Sequence, residues 1–232
     1  MKVEIYSDIQ CPWCYIGKAR FEKALAAFPQ RDQVEVVFKA YQLNPDLPTD
    51  PQDAVPHDAY LTERFGPGFK QMSQNVTAIA AKEGLDFHTE KALIVNTFNG
   101  HRLLTLAERE GGAALKQKLA TRLFKAQFTD GENLADTARL VALASEVGLD
   151  ASRVQEYLAS DEGTAQVSAE IAEARELGIT GVPTFVFEGK WGVSGAQEAE
   201  TLLKVLEQVS AEVGNAAPVQ GGPSCDDDSC AV

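Results

Sequence analysis

Ser7-Asp8-Ile9-Gln10-Cys11-Pro12-Trp13-Cys14-Tyr15-Ile16-Gly17-Lys18 holds two cysteines separated by Pro-Trp. Val3–Ser7, just before it, alternates apolar and polar residues and is predicted to be a short strand. Pro12 suits the first position of a helix, where a missing N–H costs nothing. A helix is therefore predicted from about Trp13 to Phe28, with Ile16, Phe21, Leu25 and Phe28 facing inward and Pro29 ending it. This places Cys11 at a helix N-terminus. Unpaired N–H groups and the positive end of the macrodipole favour a thiolate there, and the thiolate is the nucleophile. Cys14, one turn later, is near enough to resolve a mixed disulfide. Cys11 is thus the attacking candidate and Cys14 the resolving one. Two other readings of the pair stay open here, a zinc knuckle and two unreactive cysteines.

Further along, Val34–Gln42 is rich in β-branched and aromatic residues and reads as a second strand. Asn44–Pro56 holds four prolines and reads as a loop. From about Asp53 to Leu177 the period becomes helical and no strand signal is visible. Phe69, Met72, Val76 and Ile79 recur at three and four, and Leu93 is read into the same helical pattern. Strands return at Thr184–Glu188 and Trp191–Ser194, joined by a Gly189-Lys190 turn. Gln197–Val213 reads as an amphipathic helix with Leu202, Val205, Leu206, Val209 and Val213 on one face. Gly214–Val232, rich in glycine and aspartate, reads as a mobile tail. The fold class is α/β, a strand–helix–strand unit whose crossover has grown into a helical subdomain. The expected division is residues 1–50 and 179–213 for the two parts of one domain, 51–178 for the helical insertion and 214–232 for the tail.

The chain has 232 residues and a net charge of −13. A phosphate-binding protein needs a basic surface, so nucleic acid and anionic membrane are excluded as partners. No apolar run reaches the roughly 18 residues of a spanning helix. The acidic Glu4 interrupts the first apolar run, so no export signal is read there and a cytoplasmic protein is expected. The four cysteines are Cys11, Cys14, Cys225 and Cys230, two close pairs at opposite ends. A disulfide-stapled scaffold would spread its cysteines through the chain.

Two runs carry a resemblance. The Ser7-Asp8…Cys11-Pro12-Trp13-Cys14-Tyr15…Gly17-Lys18 run and Gly181-Val182-Pro183-Thr184 together resemble the thioredoxin superfamily, and the helical insertion is similar to its DsbA branch. The first run, with Asn96-Thr97 and His101-Arg102-Leu103, resembles the FrnE-like group of that family. The resemblance implies a thioredoxin-like fold with a large all-helical insertion. It implies thiol–disulfide oxidoreductase or isomerase activity on protein clients or small-molecule disulfides. It makes Cys11 and Cys14 catalytic and Val182-Pro183 a cis pair that positions an extended substrate. Pro12 and Trp13 would tune Cys11 and touch the client. No cofactor and no metal are expected.

Cys225-Asp226-Asp227-Asp228-Ser229-Cys230 departs from that pattern. Adjacent carboxylates oppose thiolate formation, and a poor leaving thiol makes a disulfide harder to break. The tail pair is therefore expected to act as a second redox centre that passes electrons to Cys11–Cys14. A weak soft-metal site and a functionless end are its alternatives. His57, His88 and His101 are the only histidines and lack ligand spacing; His101 is expected to be packed or exposed rather than catalytic. Tyr15 and Phe185 are expected beside the cysteines, with Trp13 exposed. Rival functions are a glutathione-dependent kappa-type isomerase or transferase, a client-binding chaperone and a metal-sequestering protein. The kappa-type branch normally has serine in place of the first cysteine, which Cys11 contradicts.

Overall fold

The computed structural model describes residues 1–215. Cys225, Cys230 and nearly all of the expected tail lie outside the described residues. In chain order the elements begin with β1 (Lys2–Ser7), α1 (Pro12–Ala27) and β2 (Glu35–Ala40). Then come β3 (Val55–Pro56), α2 (His57–Phe65), α3 (Phe69–Lys82), β4 (Leu93–Ile94) and α4 (Phe98–Lys125). Next are α5 (Thr137–Glu146), α6 (Ala151–Ala159) and α7 (Thr164–Glu176). The last are β5 (Thr184–Phe187), β6 (Trp191–Ser194) and α8 (Ala199–Asn215).

The main sheet has the order β2-β1-β5-β6. β1 and β2 are parallel, with Ile5 opposite Phe38, and α1 makes the crossover that parallel strands require. β5 runs antiparallel to β1, with Phe185 opposite Ile5, and β6 returns antiparallel to β5. β1 is therefore central, and Val3–Ser7 is buried on both faces. This explains why its apparent alternation carries no exposed face. Glu4 tolerates burial because Lys2 Nζ lies 2.7 Å and Lys39 Nζ 3.7 Å from its carboxylate.

One core joins the sheet to α1 and α8 through Ile5, Phe21, Phe28, Phe38, Phe185 and Leu206. Full burial of each such side chain is worth about 1.5–3 kcal/mol. A second core fills the helical insertion through Leu103, Leu106, Leu119, Leu123, Leu140 and Leu143. Ile9, from the loop before Cys11, belongs to this second core. The loop that carries the cysteines is thus anchored to both halves of the fold.

Several expectations are corrected. The insertion is not purely helical: β3 and β4 pair antiparallel, and Leu93 is in β4 rather than in a helix. A ladder two residues long has no periodicity for a sequence to show. α4 is broken at Gly112, whose backbone has φ 68° and ψ −167°. Met72 and Val213 are 55% and 41% exposed, so they continue helical spacing without reaching a core. Leu25 is only half-buried. α8 runs on to Asn215, past the expected start of the tail at Gly214.

Candidate active site

Cys11 occupies the N-cap position of α1, with an extended backbone at φ −89° and ψ 113°. Pro12 follows at the first helical position. The Cys11 carbonyl accepts the Cys14 N–H at 3.0 Å and the Tyr15 N–H at 3.4 Å, which starts the helix. The Cys11 N–H donates to the Asp8 carbonyl at 3.0 Å and closes the preceding turn. The first turn carries no acidic residue to cancel its positive end. Cys11 and Cys14 are free thiols and both are buried, whereas Trp13 between them is 37% exposed. Trp13 is the outward side of the motif, and Pro12 is half-buried.

Burial pushes the Cys14 thiol well above its ordinary range, and the neighbouring Cys11 adds to this. The neighbouring Ser7 hydroxyl and Asp8 N–H, which can donate to a thiolate, pull the other way. Desolvation wins, so Cys14 is held as a thiol while two donors wait for its thiolate.

The Cys11 thiol donates to the Val182 carbonyl at 3.5 Å. The Val182–Pro183 peptide bond is cis. Pro183 is buried and its carbonyl accepts the Gly195 N–H at 2.8 Å. Gly17, inside α1, permits this approach. A Cβ there would lie 2.8 Å from Pro183 Cγ. The Val182-Pro183 segment therefore meets the cysteine helix along a face that has no room for a side chain.

Behind the cysteines, Tyr15 stacks on Phe124 at 5.0 Å and on Phe87 at 5.8 Å between ring centres. Phe185 is elsewhere: it stacks on Phe21 in the sheet core, because β5 turns it to that face. An open groove of about 680 Å³ between α2, α3 and residues 87–90 reaches Phe87 but neither cysteine.

The helical insertion contributes from α4. Gly100 comes so close to Ile9 that a Cβ would lie 2.5 Å from Ile9 Cδ1. This brings His101 to Asp8, with Nε2 3.5 Å from the carboxylate and both side chains buried. The Asp8 carboxylate also accepts the Leu43 N–H at 2.7 Å. Asn96 fastens the proline-rich loop: its side-chain amide donates to the Pro45 carbonyl at 2.8 Å. Arg102 turns away from the site and donates to the carbonyls of Tyr157 at 2.8 Å, in the last turn of α6, and Glu162 at 2.9 Å, just past its end. Of the Asn96-Thr97/His101-Arg102 run, only His101 reaches the cysteine loop. His57 pairs with Asp58 at 2.9 Å, and His88 lies between Asp86 and Glu90. Among the described residues no group of three ligating side chains is placed to hold a metal ion.

Ser7 and Gly17 were not singled out as site residues by sequence reasoning, nor was Glu170 as a structural one. Glu170 is buried in α7 and accepts the Ala40 N–H of β2 at 2.8 Å. Its signal is an acid within the buried Val167–Glu170–Ala174 stripe of an otherwise ordinary helix.

The family profile described as DSBA-like thioredoxin domain matches residues 2–207. A solved structure of a probable DsbA oxidoreductase from Streptomyces coelicolor is 43% identical. It superposes with a TM-score of 0.86, over 100% of this chain and 99% of that one. The uncharacterized protein YwbO of Bacillus subtilis is 28% identical over 218 residues, 88% of this chain and 94% of that protein. A cytosolic disulfide reductase, DsbM from Pseudomonas aeruginosa, shares the fold at 17% identity and a TM-score of 0.61, over 93% of this chain and 98% of that one.

Proposed function

The chain belongs to the DSBA-like thioredoxin-domain family of thiol–disulfide oxidoreductases, and from this we propose that it exchanges disulfides through Cys11 and Cys14. The observation that carries the reading is the placement of Cys11: N-cap of α1, 3.5 Å from the Val182 carbonyl, with Cys14 sealed one turn behind. Cys11 attacks one sulfur of a client disulfide. A Cys11–client bond forms, and the other client sulfur leaves with the electron pair. Cys14 then attacks Cys11, closes the Cys11–Cys14 disulfide and releases the second client thiolate. The client is reduced by two electrons and the enzyme oxidised by two. Run backwards, the same steps oxidise a client; run in sequence, they isomerise one.

The Val182 carbonyl supports a positioning role. It accepts the Cys11 S–H in the dithiol. Once Cys11 is bonded to a client that donor is gone, and the carbonyl is free for an N–H of the client strand. Trp13, exposed beside the pair, supplies apolar contact area. The proposed clients are disulfide-containing proteins or small disulfides in the cytoplasm, and the net charge of −13 favours basic or neutral ones. The tail pair Cys225–Cys230 is proposed to recharge Cys11–Cys14. Replacing both tail cysteines with serine is expected to lower multiple-turnover reduction and leave the first turnover intact.

Insulin reduction followed by turbidity tests the main reading. Wild type is expected to precipitate the insulin B chain, and Cys11→Ser to fall to the uncatalysed rate. Equal activity in Cys11→Ser would remove Cys11 from the mechanism.

A further inference from the structure

A small, partly open cavity of about 10 Å³ lies under the cysteine loop, at the seam between the sheet and the helical insertion. Space of this size suits one water when polar groups surround it. Its walls are mainly apolar, with Ser7, His101, Thr105, Lys116 and Glu170 among the polar groups that a single water could bridge. Ser7 is also a side-chain neighbour of the Cys14 thiol. His101 is 3% exposed, and its Nε2 is fully buried without a hydrogen-bond partner among the described residues. Asp8 is within 3.5 Å of that nitrogen but is not aligned to bond it. An orphaned buried imidazole nitrogen is costly unless something reaches it. Here the imidazole borders a cavity that Ser7, the neighbour of Cys14, also lines.

The mechanism above has an unplaced proton. Cys14 is a buried thiol, and only its thiolate can attack the mixed disulfide. No solvent path to its sulfur is open at 2% exposure. Of the groups on the cavity, Lys116 is committed to Glu108 at 2.9 Å. Lys39 is bound to Glu173 at 2.9 Å. Glu170 holds the Ala40 N–H, and a carboxylate is a weak base at neutral pH. Imidazole is the one base whose ordinary range centres near neutrality.

We propose that His101 is the proton acceptor for Cys14, acting through the Ser7 hydroxyl and one water in the shared cavity. This rests on the proposed exchange through Cys11 and Cys14. In the resolving step Cys14 gives its proton to Ser7 as Ser7 passes its own to the water and the water passes one to His101. The Cys14 sulfur attacks Cys11, the Cys11–client bond breaks, and the client leaves as a thiolate. Charge is conserved: the imidazolium is gained as the client anion departs. When a client is oxidised, the proton returns along the same path. His101 is therefore a positioning residue for the proton, not a group that touches sulfur. The Asp8 carboxylate is 3.5 Å from His101 Nε2, and Lys116 lines the same cavity.

The test uses the full chain with Cys225→Ser and Cys230→Ser, reduced and mixed with dithiobis(nitrobenzoate). Attack by Cys11 releases one coloured thiolate, and resolution by Cys14 releases a second. In His101→Gln the first phase is expected to keep its rate and the second to slow about tenfold or more at neutral pH. The slowing should fade at alkaline pH, where hydroxide does the same work. Ser7→Ala should give the same split, and Glu170→Gln should leave both phases unchanged. Ser7→Ala alone carries the test if His101→Gln does not fold. Second phases within twofold of wild type in both His101→Gln and Ser7→Ala would overturn the proposal and leave the cysteine reading intact. A slow second phase in Glu170→Gln with a normal one in His101→Gln would move the acceptor to Glu170 and also overturn it. Loss of the biphasic release from the protein with His101, Ser7 and Glu170 intact would instead overturn the cysteine reading on which the proposal stands.

Discussion

Gly17 and Pro183 are closer than any side chain at position 17 would permit, with 2.8 Å from an ideal Cβ to Pro183 Cγ. These residues are far apart in sequence, yet their contact sets how near the Val182 carbonyl comes to Cys11. A contact below 3 Å must be relieved by movement, and a proline ring cannot swing aside as a lysine tip would.

Gly17→Ala tests that contact by setting two effects against each other. Alanine in a helix gains up to about 1 kcal/mol over glycine. Overpacking against a buried ring costs about 1–3 kcal/mol. The second is expected to win, because the 2.8 Å approach is to a buried proline ring that cannot move aside. Urea unfolding should show a net loss of about 1 kcal/mol, and insulin reduction should slow. A variant both more stable and fully active would refute the tight contact.

Arg102 is expected to be structural. Its buried guanidinium serves carbonyls at and just past the end of α6 and lies over the Tyr157 ring at 5.2 Å. Arg102→Ala leaves those acceptors buried, and a loss of about 3 kcal/mol is expected in chemical unfolding. Arg102→Lys should recover less than half, since an ammonium cannot reproduce the fork. A change under about 1 kcal/mol in the alanine variant would contradict this.

The Cys14 thiol makes a pH prediction for the reduced protein. Its folded pKa is raised, so the folded state keeps a proton that the unfolded state loses above about 8.5. Stability from this group is complete below that value and declines as pH rises through it toward the folded pKa. Unfolding of wild type and Cys14→Ala should therefore be compared at pH 7 and pH 9.5 under reductant. Wild type should lose more stability than the variant over that interval. Equal losses would show that Cys14 is not held protonated by burial.

The cysteine helix was legible in the sequence because its signals are local: Pro12 at the start, apolar spacing along α1, and Pro29 just past its end. The Thr184–Phe187 and Trp191–Ser194 hairpin was legible for the same reason. β3 and β4 were not, since two paired residues are chosen by tertiary contacts and leave no pattern. Phe185 was misplaced because β5 strand alternation tells which residues share a face, not which core that face meets. His101 was weighed as a packed histidine, and it is one. Its packing against Asp8 and the cavity beside Ser7 depends on Gly100 lying against Ile9, a contact that no sequence spacing predicts.

The division of labour between the cysteines is most directly tested by trapping. Cys14→Ser, with the tail cysteines also replaced by serine, is incubated with a disulfide-bonded peptide and mapped by mass spectrometry after acid quench. A stable mixed disulfide on Cys11 is expected, with none formed by the matching Cys11→Ser protein, whose Cys14 is 2% exposed and held as a thiol. An adduct on Cys14 in Cys11→Ser, with Cys11 unmodified in Cys14→Ser, would reverse the assignment and contradict the account.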